Sequence, residues 1–366
     1  MKNRYIYPIL LVLSLLGIVA NVRSQDMNYT QYFSTPVYYN PAYTGINSGI
    51  RARFLYRNQW PSLPVSYKSY YFAADLGDRS LPGSGGIGLM INQDTPGAGL
   101  INNFGAALTI GVRIPITSYM ISQIGIKAGI MQRKVNWDDF VFADQLSAQY
   151  GNIYQTAFIP SDASKRVVPD FGAGGVLQFV NPDGNISGNI GFAVDHIFRP
   201  DVSFLNTGSS PYPRKWVGQF DMIFVVGQGG SSMVTRGSDD PLKINIGGIY
   251  QNQANLNSLQ VGLNLLKFNI YLGGWFKTTM TGIVNSSLAL VAGYKYTFYD
   301  DMNIKFMYSY DLQISGALQG TGGAHEITLI LEFDKISLFG SGGGGFVPGG
   351  SGRRGGGGPM ESPTFY

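Results

Sequence analysis

No cysteine occurs in the 366 residues. This excludes a disulfide framework, a thiolate metal site and a cysteine nucleophile together. Histidine is nearly as scarce: the two, His196 and His325, form no metal-ligand pair. Asp195-His196 has no serine motif beside it, and no acidic run has calcium-loop spacing. No catalytic residue, metal ligand or cofactor site is therefore assigned. Gly85-Gly86-Ile87-Gly88 leads into no helix and so is not a phosphate cradle. Charge is low as well. Asp, Glu, Lys and Arg make up 13% of the chain, about half the share usual in soluble domains, and such a surface suits lipid better than water. The net charge of +4 comes from scattered Lys and Arg, apart from Arg353-Arg354, and no nucleic-acid motif is present, so no nucleic-acid partner is expected. After residue 24 no apolar run approaches the ~20 residues a membrane helix needs. A helical membrane protein is excluded.

What is present begins with an export leader. Lys2 and Arg4 are followed by an apolar stretch from Ile6 to Ala20, and Val22 and Ser24 supply small residues for cleavage before Gln25. We therefore read 1–24 as a signal peptide; with no cysteine after it, lipoprotein anchoring is excluded. Gly reaches 50, Tyr 23 and Phe 22, an export-competent composition rich in aromatics and without bridges, as in bacterial outer-membrane proteins.

The mature chain shows two-residue alternation throughout. In Asn103 to Ile114 one face carries Phe104, Ala106, Leu108, Ile110, Val112 and Ile114, and the other Asn103, Gly105, Ala107, Thr109, Gly111 and Arg113. A strand sends successive side chains to opposite faces, so each segment has one greasy wall and one small or polar wall. Ile50 to Gln59 sets Ile50, Ala52, Phe54 and Tyr56 against Arg51, Arg53 and Arg57; Tyr119 to Arg133 sets Ile124, Ile126, Ala128 and Ile130 against Gln123, Lys127 and Arg133. About fourteen such segments follow one another, an even number as bacterial single-chain barrels require. The expected fold is all-β: a transmembrane antiparallel barrel over 50–339, with an N-terminal periplasmic or plug segment at 25–49. Arg51, Arg53, Arg57, Lys127 and Arg133 are expected to face the lumen. Aromatics such as Trp60, Tyr70, Tyr71, Trp216, Tyr250, Tyr296, Phe298 and Tyr308 are expected in interfacial girdles, with Trp275 in a girdle or, by its parity, in the lumen. His196 and His325 fall on the apolar parity.

Loop lengths orient the barrel. Connections after even strands are short, as at Pro115 to Ser118 and Tyr299 to Asp301, and those after odd strands are long, as at Lys134 to Val168 and Ile197 to Arg214; Gly227 to Pro241 breaks the trend. Both termini are then expected on the periplasmic side, with long loops outward. The stretch from Lys134 to Val168 is too long to be idle. Its Trp137, Asp138, Asp139, Phe140, Phe142, Tyr150 and Tyr154 make it a candidate partner-binding outer loop, either a cap or a plug. From Gly340 to Tyr366 the chain is Gly-rich with Pro348, Pro359 and Pro363, a composition that cannot bury enough to order itself. We read 340–366 as a flexible periplasmic tail whose Arg353, Arg354, Phe365 and Tyr366 are candidate contacts.

Some of these residues also form familiar strings. Gln31-Tyr32-Phe33, Tyr39-Asn40-Pro41-Ala42-Tyr43-Thr44-Gly45 and Arg57-Asn58-Gln59-Trp60 resemble the opening of the PorP/SprF family. Phe142-Ala143-Asp144-Gln145, Ile190 to Ile197, Tyr310-Asp311 and Gly323-Ala324-His325-Glu326-Ile327 resemble later family elements in order, and Ser362 stands where the family ending often has cysteine. The resemblance implies a non-enzymatic outer-membrane component of the type IX secretion and gliding machinery. It implies partners too: a specific secreted protein such as a large adhesin, and periplasmic ring and lipoprotein components, besides outer-membrane lipid. The alternative on residues alone is a passive porin or solute channel.

Overall fold

The computed structural model describes residues 26–333 apart from 79–84, 98–99, 138–139, 148, 158–163, 205–208, 227–240, 282, 299–301 and 316–319. The leader at 1–24, the tail with Arg353, Arg354, Phe365 and Tyr366, and Asp138 and Asp139 lie outside the described residues.

Sixteen strands follow in order: β1 Gly49–Gln59, β2 Tyr67–Gly77, β3 Gly86–Thr95, β4 Ile101–Thr117, β5 Met120–Val135, β6 Leu146–Ser147, β7 Gly151–Asn152, β8 Lys165–Val180, β9 Ile186–Asp195, β10 Lys215–Val226, β11 Leu242–Gln253, β12 Leu256–Lys267, β13 Ile270–Thr281, β14 Ile283–Thr297, β15 Met302–Ser315 and β16 Ala324–Phe333. β6 and β7 form a separate small hairpin; the other fourteen close one antiparallel barrel, each paired with its sequence neighbours and β1 sealed to β16. Closure leaves no unpaired sheet edge in lipid, the condition for crossing a membrane with strands.

The alternation becomes two surfaces. Leu108, Ile110 and Val112 on β4, Ile124 and Ile126 on β5, and Leu290 on β14 stand 42–64% exposed on the outer wall, where lipid covers them. The opposite parity is buried although it is polar: Gln123, Gln260, Asn245, Ser309, Glu326 and Thr328 are fully enclosed. Tyr70, Trp216, Tyr250, Tyr296, Phe298 and Tyr308 stand on the outside, but Tyr71 is 3% exposed and points inward. Adjacent strand residues cannot share a face, so the Tyr70-Tyr71 pair supplies one girdle residue, not two. Trp275 is fully buried on the lumen side.

The lumen is filled by residues 26–48. This segment makes a 3-10 turn at Tyr32–Ser34, a single α-turn at Pro36–Tyr39 and another 3-10 turn at Pro41–Tyr43. Pro36 and Pro41 remove the donors a fifteenth strand would need. The turns satisfy their own backbone instead: the Asn40 side chain accepts from the Ala42 N–H at 2.9 Å and donates to the Gly175 carbonyl on β8 at 3.1 Å. Wall glycines make room for this. A Cβ on Gly125 would sit 2.3 Å from Pro41 and Ala42 backbone, and one on Gly174 2.1 Å from Asn40 Oδ1. Tyr32 and Phe33 pack their rings 5.3 and 5.5 Å from Trp275, and Tyr38 meets Tyr29, Tyr39 and Tyr71 edge-on. Such pairs add about 0.5–1.5 kcal/mol each beyond the area they bury.

Of the two expected placements of residues 25–49, periplasmic or plug, the described residues 26–48 lie in the lumen and run from one mouth of the barrel to the other. Gly45 lies against Gly77 and Gly86, where β2 turns into β3, at the end where β1 begins. Asp26 lies at the other end, bonded through its backbone N–H to Gln253 at the close of β11 and by ion pairs to Lys215 and His196. The chain therefore runs along the lumen from the mouth at the close of β11 to the opposite one before β1 begins. Phe333, which pairs with Ile50, ends the barrel at the mouth where β1 begins.

Candidate functional site

The outer end of the lumen gathers most of the motif residues into two charged clusters, one on each side of residues 26–31. On the first, Arg57 at the outer end of β1 stands opposite Glu326 on β16 and pairs with it and with Asp311 on β15, the latter at 3.1 Å. Lys277 reaches the same Asp311 at 3.2 Å. These carboxylates then hold the segment: Glu326 accepts from the N–H groups of Thr30 (2.6 Å) and Gln31 (2.9 Å), and Asp311 accepts from the Thr30 hydroxyl. The strings Gln31-Tyr32, Arg57-Asn58-Gln59-Trp60, Tyr310-Asp311 and Gly323 to Glu326, far apart in sequence, meet here.

The second cluster is built on His196. The parity of β9 would send it into the lipid, but the strand ends at Asp195 and His196 takes a φ of +54°. This turns its ring inward, to 4% exposure. Nδ1 meets Asp170 at 2.7 Å and Nε2 meets Asp26 at 3.0 Å, while Lys127 binds Asp170 at 2.9 Å and also Asp195. Tyr212 donates its hydroxyl to Asp26 at 2.8 Å, and Lys215 lies 3.2 Å from Asp26 and 4.4 Å over the Tyr38 ring. Burial alone would lower the His196 pKa, but Asp26, Asp195 and Asp170 together push it up to about 10. Burial would likewise raise Asp26, yet His196 and Lys215 hold its carboxyl well below the usual carboxylate range. Ligand atoms of Asp26, Asp195 and His196 lie within 4.8 Å of one another, a spacing open to a metal. Both ring nitrogens are already taken by carboxylates, however, and two ammonium groups neutralise those carboxylates. The cluster reads as a clamp on the segment, with a carboxylate at each side of the imidazole and, among the described residues, no serine or threonine hydroxyl bonded to it. His325 stays on the outer wall, its Nδ1 2.8 Å from the Tyr308 hydroxyl.

The remaining lumen cations named above also have partners. Arg51 faces Glu332 (3.4 Å), Arg53 binds Asp75, and Arg133, half-buried near the top of β5, donates to Asn103 at 3.1 Å. Sequence reasoning found these cations from parity but missed their partners Asp75, Asp170, Asp311, Glu326 and Glu332, and Lys215, Lys277 and Lys305. All lie on the polar parity; what ties them together is cross-strand register, which one sequence does not display. Between the segment and the outer ends of β1, β13 and β15 a vestibule of about 320 Å³ remains, lined by Asn28, Gln59, Trp60, Lys277 and Asp311 among others.

Above the mouth rises the loop between β5 and β8. Residues 165–172 of β8 run past the end of its ladder with β9, which lifts the loop off the wall. Within it Trp137 packs on Phe140 at 5.7 Å, Phe140 stacks on Phe142 at 6.2 Å, and Tyr150 and Tyr154 stand 69% and 56% exposed. Asp144 accepts from the Ala157 N–H at 2.6 Å and closes the small hairpin.

A closed fourteen-stranded barrel with a greasy outer wall and a lumen filled by its own chain defines a bacterial outer-membrane β-barrel protein. Solved structures similar to it are the Acinetobacter baumannii outer membrane protein Omp33 (7% identity, 79% of this chain and 99% of that chain, TM-score 0.39), a Pseudomonas aeruginosa FadL homologue (10%, 81% and 92%, TM-score 0.39) and the beta domain of the Bordetella autotransporter BrkA (12%, 78% and 98%, TM-score 0.38). No curated relative matches the chain. The family model for type IX secretion system membrane protein PorP/SprF matches residues 21–331. The chain belongs to that family and is a type IX secretion membrane protein of the cell outer membrane.

Proposed function

We propose that this barrel is a non-enzymatic surface station for one secreted protein, such as a large adhesin, which it helps to export or holds at the cell surface through its outer loops. The observation that carries this is the filled lumen. Residues 29–45 are buried almost throughout and bonded to strands around the wall, which leaves the outer face as the place for a partner. The β5–β8 loop suits that role because its Tyr150 and Tyr154 are exposed, and aromatic anchors dominate protein interfaces. Trp137, Phe140, Phe142, Tyr150 and Tyr154, with Asp138 and Asp139, would form the dock. The passive-channel reading needs an open lumen, and the aromatic packing around Trp275 weighs against it.

On the periplasmic side we assign the tail at 340–366, with Arg353, Arg354, Phe365 and Tyr366, to contact with ring or lipoprotein components of the machine. Replacing residues 136–164 with a short Gly-Ser linker should leave the barrel folded, as seen by heat-dependent gel mobility, while the partner is lost from the cell surface. Normal surface retention with the replaced loop refutes the dock. Removing 340–366 should leave surface topology intact but end co-purification with periplasmic components; unchanged co-purification refutes the tail assignment.

A further inference from the structure

The two outermost rungs of the β5–β8 ladder join like charges. Arg133 stands opposite Arg166, and Lys134 stands opposite Lys165. Directly opposed residues have Cβ atoms about 4.5–5.5 Å apart, and like charges there are destabilising. Both arginines have partners of their own: Arg133 Nε donates to Asn103, and the exposed Arg166 donates through Nε to the Asp201 carbonyl at 3.3 Å. The lysines point outward and are exposed. They share the wall face of Ile130 and Val167, 47% and 49% exposed, so they mark the height where the greasy belt ends on the outer side. Among the described residues neither lysine makes an ion pair. Other rungs oppose unlike charges: Arg57 stands opposite Glu326 and Lys215 opposite Asp195. Where Lys295 faces Lys305, Glu332 lies 3.0 Å from Lys305.

We propose that Lys134 and Lys165 together bind a phosphate group of an outer-leaflet glycolipid. The pair needs an anion, and its setting selects the source. A free phosphate would require only the cations, whereas an amphiphile places acyl chains on Ile130 and Val167 and its phosphate at lysine height, where long lysine stems extend along apolar surface. Bound there, the lipid relieves the repulsion of the two rungs and steadies the base of the outer loop.

The test titrates the detergent-solubilised full chain with diphosphoryl lipid A, dephosphorylated lipid A and inorganic phosphate, reading bound species by native mass spectrometry. Diphosphoryl lipid A should bind, and added salt should weaken it. Lys134→Gln with Lys165→Gln should weaken binding roughly 30-fold, which is about 2 kcal/mol at 1.4 kcal/mol per tenfold. Lys134→Arg with Lys165→Arg should restore it. Equal binding of dephosphorylated lipid A, or no effect of the Gln pair, overturns the site. Inorganic phosphate binding as tightly as lipid A leaves an anion site but overturns the glycolipid assignment.

Discussion

At Gly125 the wall and the internal segment come closer than any side chain allows. A valine there meets Pro41 and Ala42 backbone on one side and the strand itself on the other, so neither partner can yield cheaply. Gly125→Val should cost about 1–3 kcal/mol, the range for overpacked sites, and lower the thermal midpoint of the solubilised barrel. Gly218→Val is the control, since a Cβ there meets nothing within 4 Å. Equal midpoints for the two variants would show that the segment does not press on the wall. His196 offers a second residue-scale test. Its pKa, pushed up to about 10 in the fold, lies above the unfolded value near 6.5. The clamp's contribution is therefore complete below about pH 6.5 and declines as pH rises toward 10. Asp26, held low, loses its share only as pH falls below the ordinary carboxylate range. The wild-type midpoint should drop more steeply than that of His196→Gln between pH 7 and 10; parallel curves would remove His196 from the clamp.

At the scale of elements, strands were readable because lipid imposes a strict demand: every second side chain must be apolar. That demand puts Leu108 and Ile124 on the outer face and Arg51 on the inner one, and the even strand count follows from closure. The path of 26–48 was not readable. The segment has no periodicity, its prolines forbid strand pairing, and its burial depends on glycines scattered over β2, β3, β4, β5 and β8. His196 was misplaced for a local reason, one positive φ just beyond a strand end. Of the candidate site, the cations were legible by parity, while the carboxylates that hold the segment became partners only through register. The downward run of the segment has a direct consequence. Because the chain lacks native cysteine, single cysteines report topology cleanly. Asn28→Cys in the vestibule and Tyr150→Cys in the outer loop should react with a membrane-impermeant maleimide on intact cells. Asp183→Cys, in the turn between β8 and β9, should react only after lysis. Labelling of Asp183→Cys and not Asn28→Cys on intact cells would invert the orientation.

For the whole molecule, the decisive matter is whether the internal segment is resident or leaves. Fourteen strands enclose enough space for a passage if the segment withdraws, and the polar inner wall would then tolerate water. Against withdrawal stand the aromatic cluster around Trp275 and two charged clusters that grip residues 26–31 from opposite sides; withdrawal breaks the ion pairs of Asp26 with His196 and Lys215 and the hydrogen bonds of Thr30 and Gln31 to Glu326 and Asp311, each costing about 1–3 kcal/mol where the group left behind stays buried. The Thr44 and Thr109 hydroxyls lie 2.8 Å apart, so cysteines at both positions should form a disulfide that ties the segment to β4. If the segment is resident, oxidised Thr44→Cys with Thr109→Cys should secrete and display its partner as well as wild type, and the purified chain should give no steady conductance in planar bilayers. Secretion that stops on oxidation and resumes on reduction would mean that the segment moves and the lumen itself is the route.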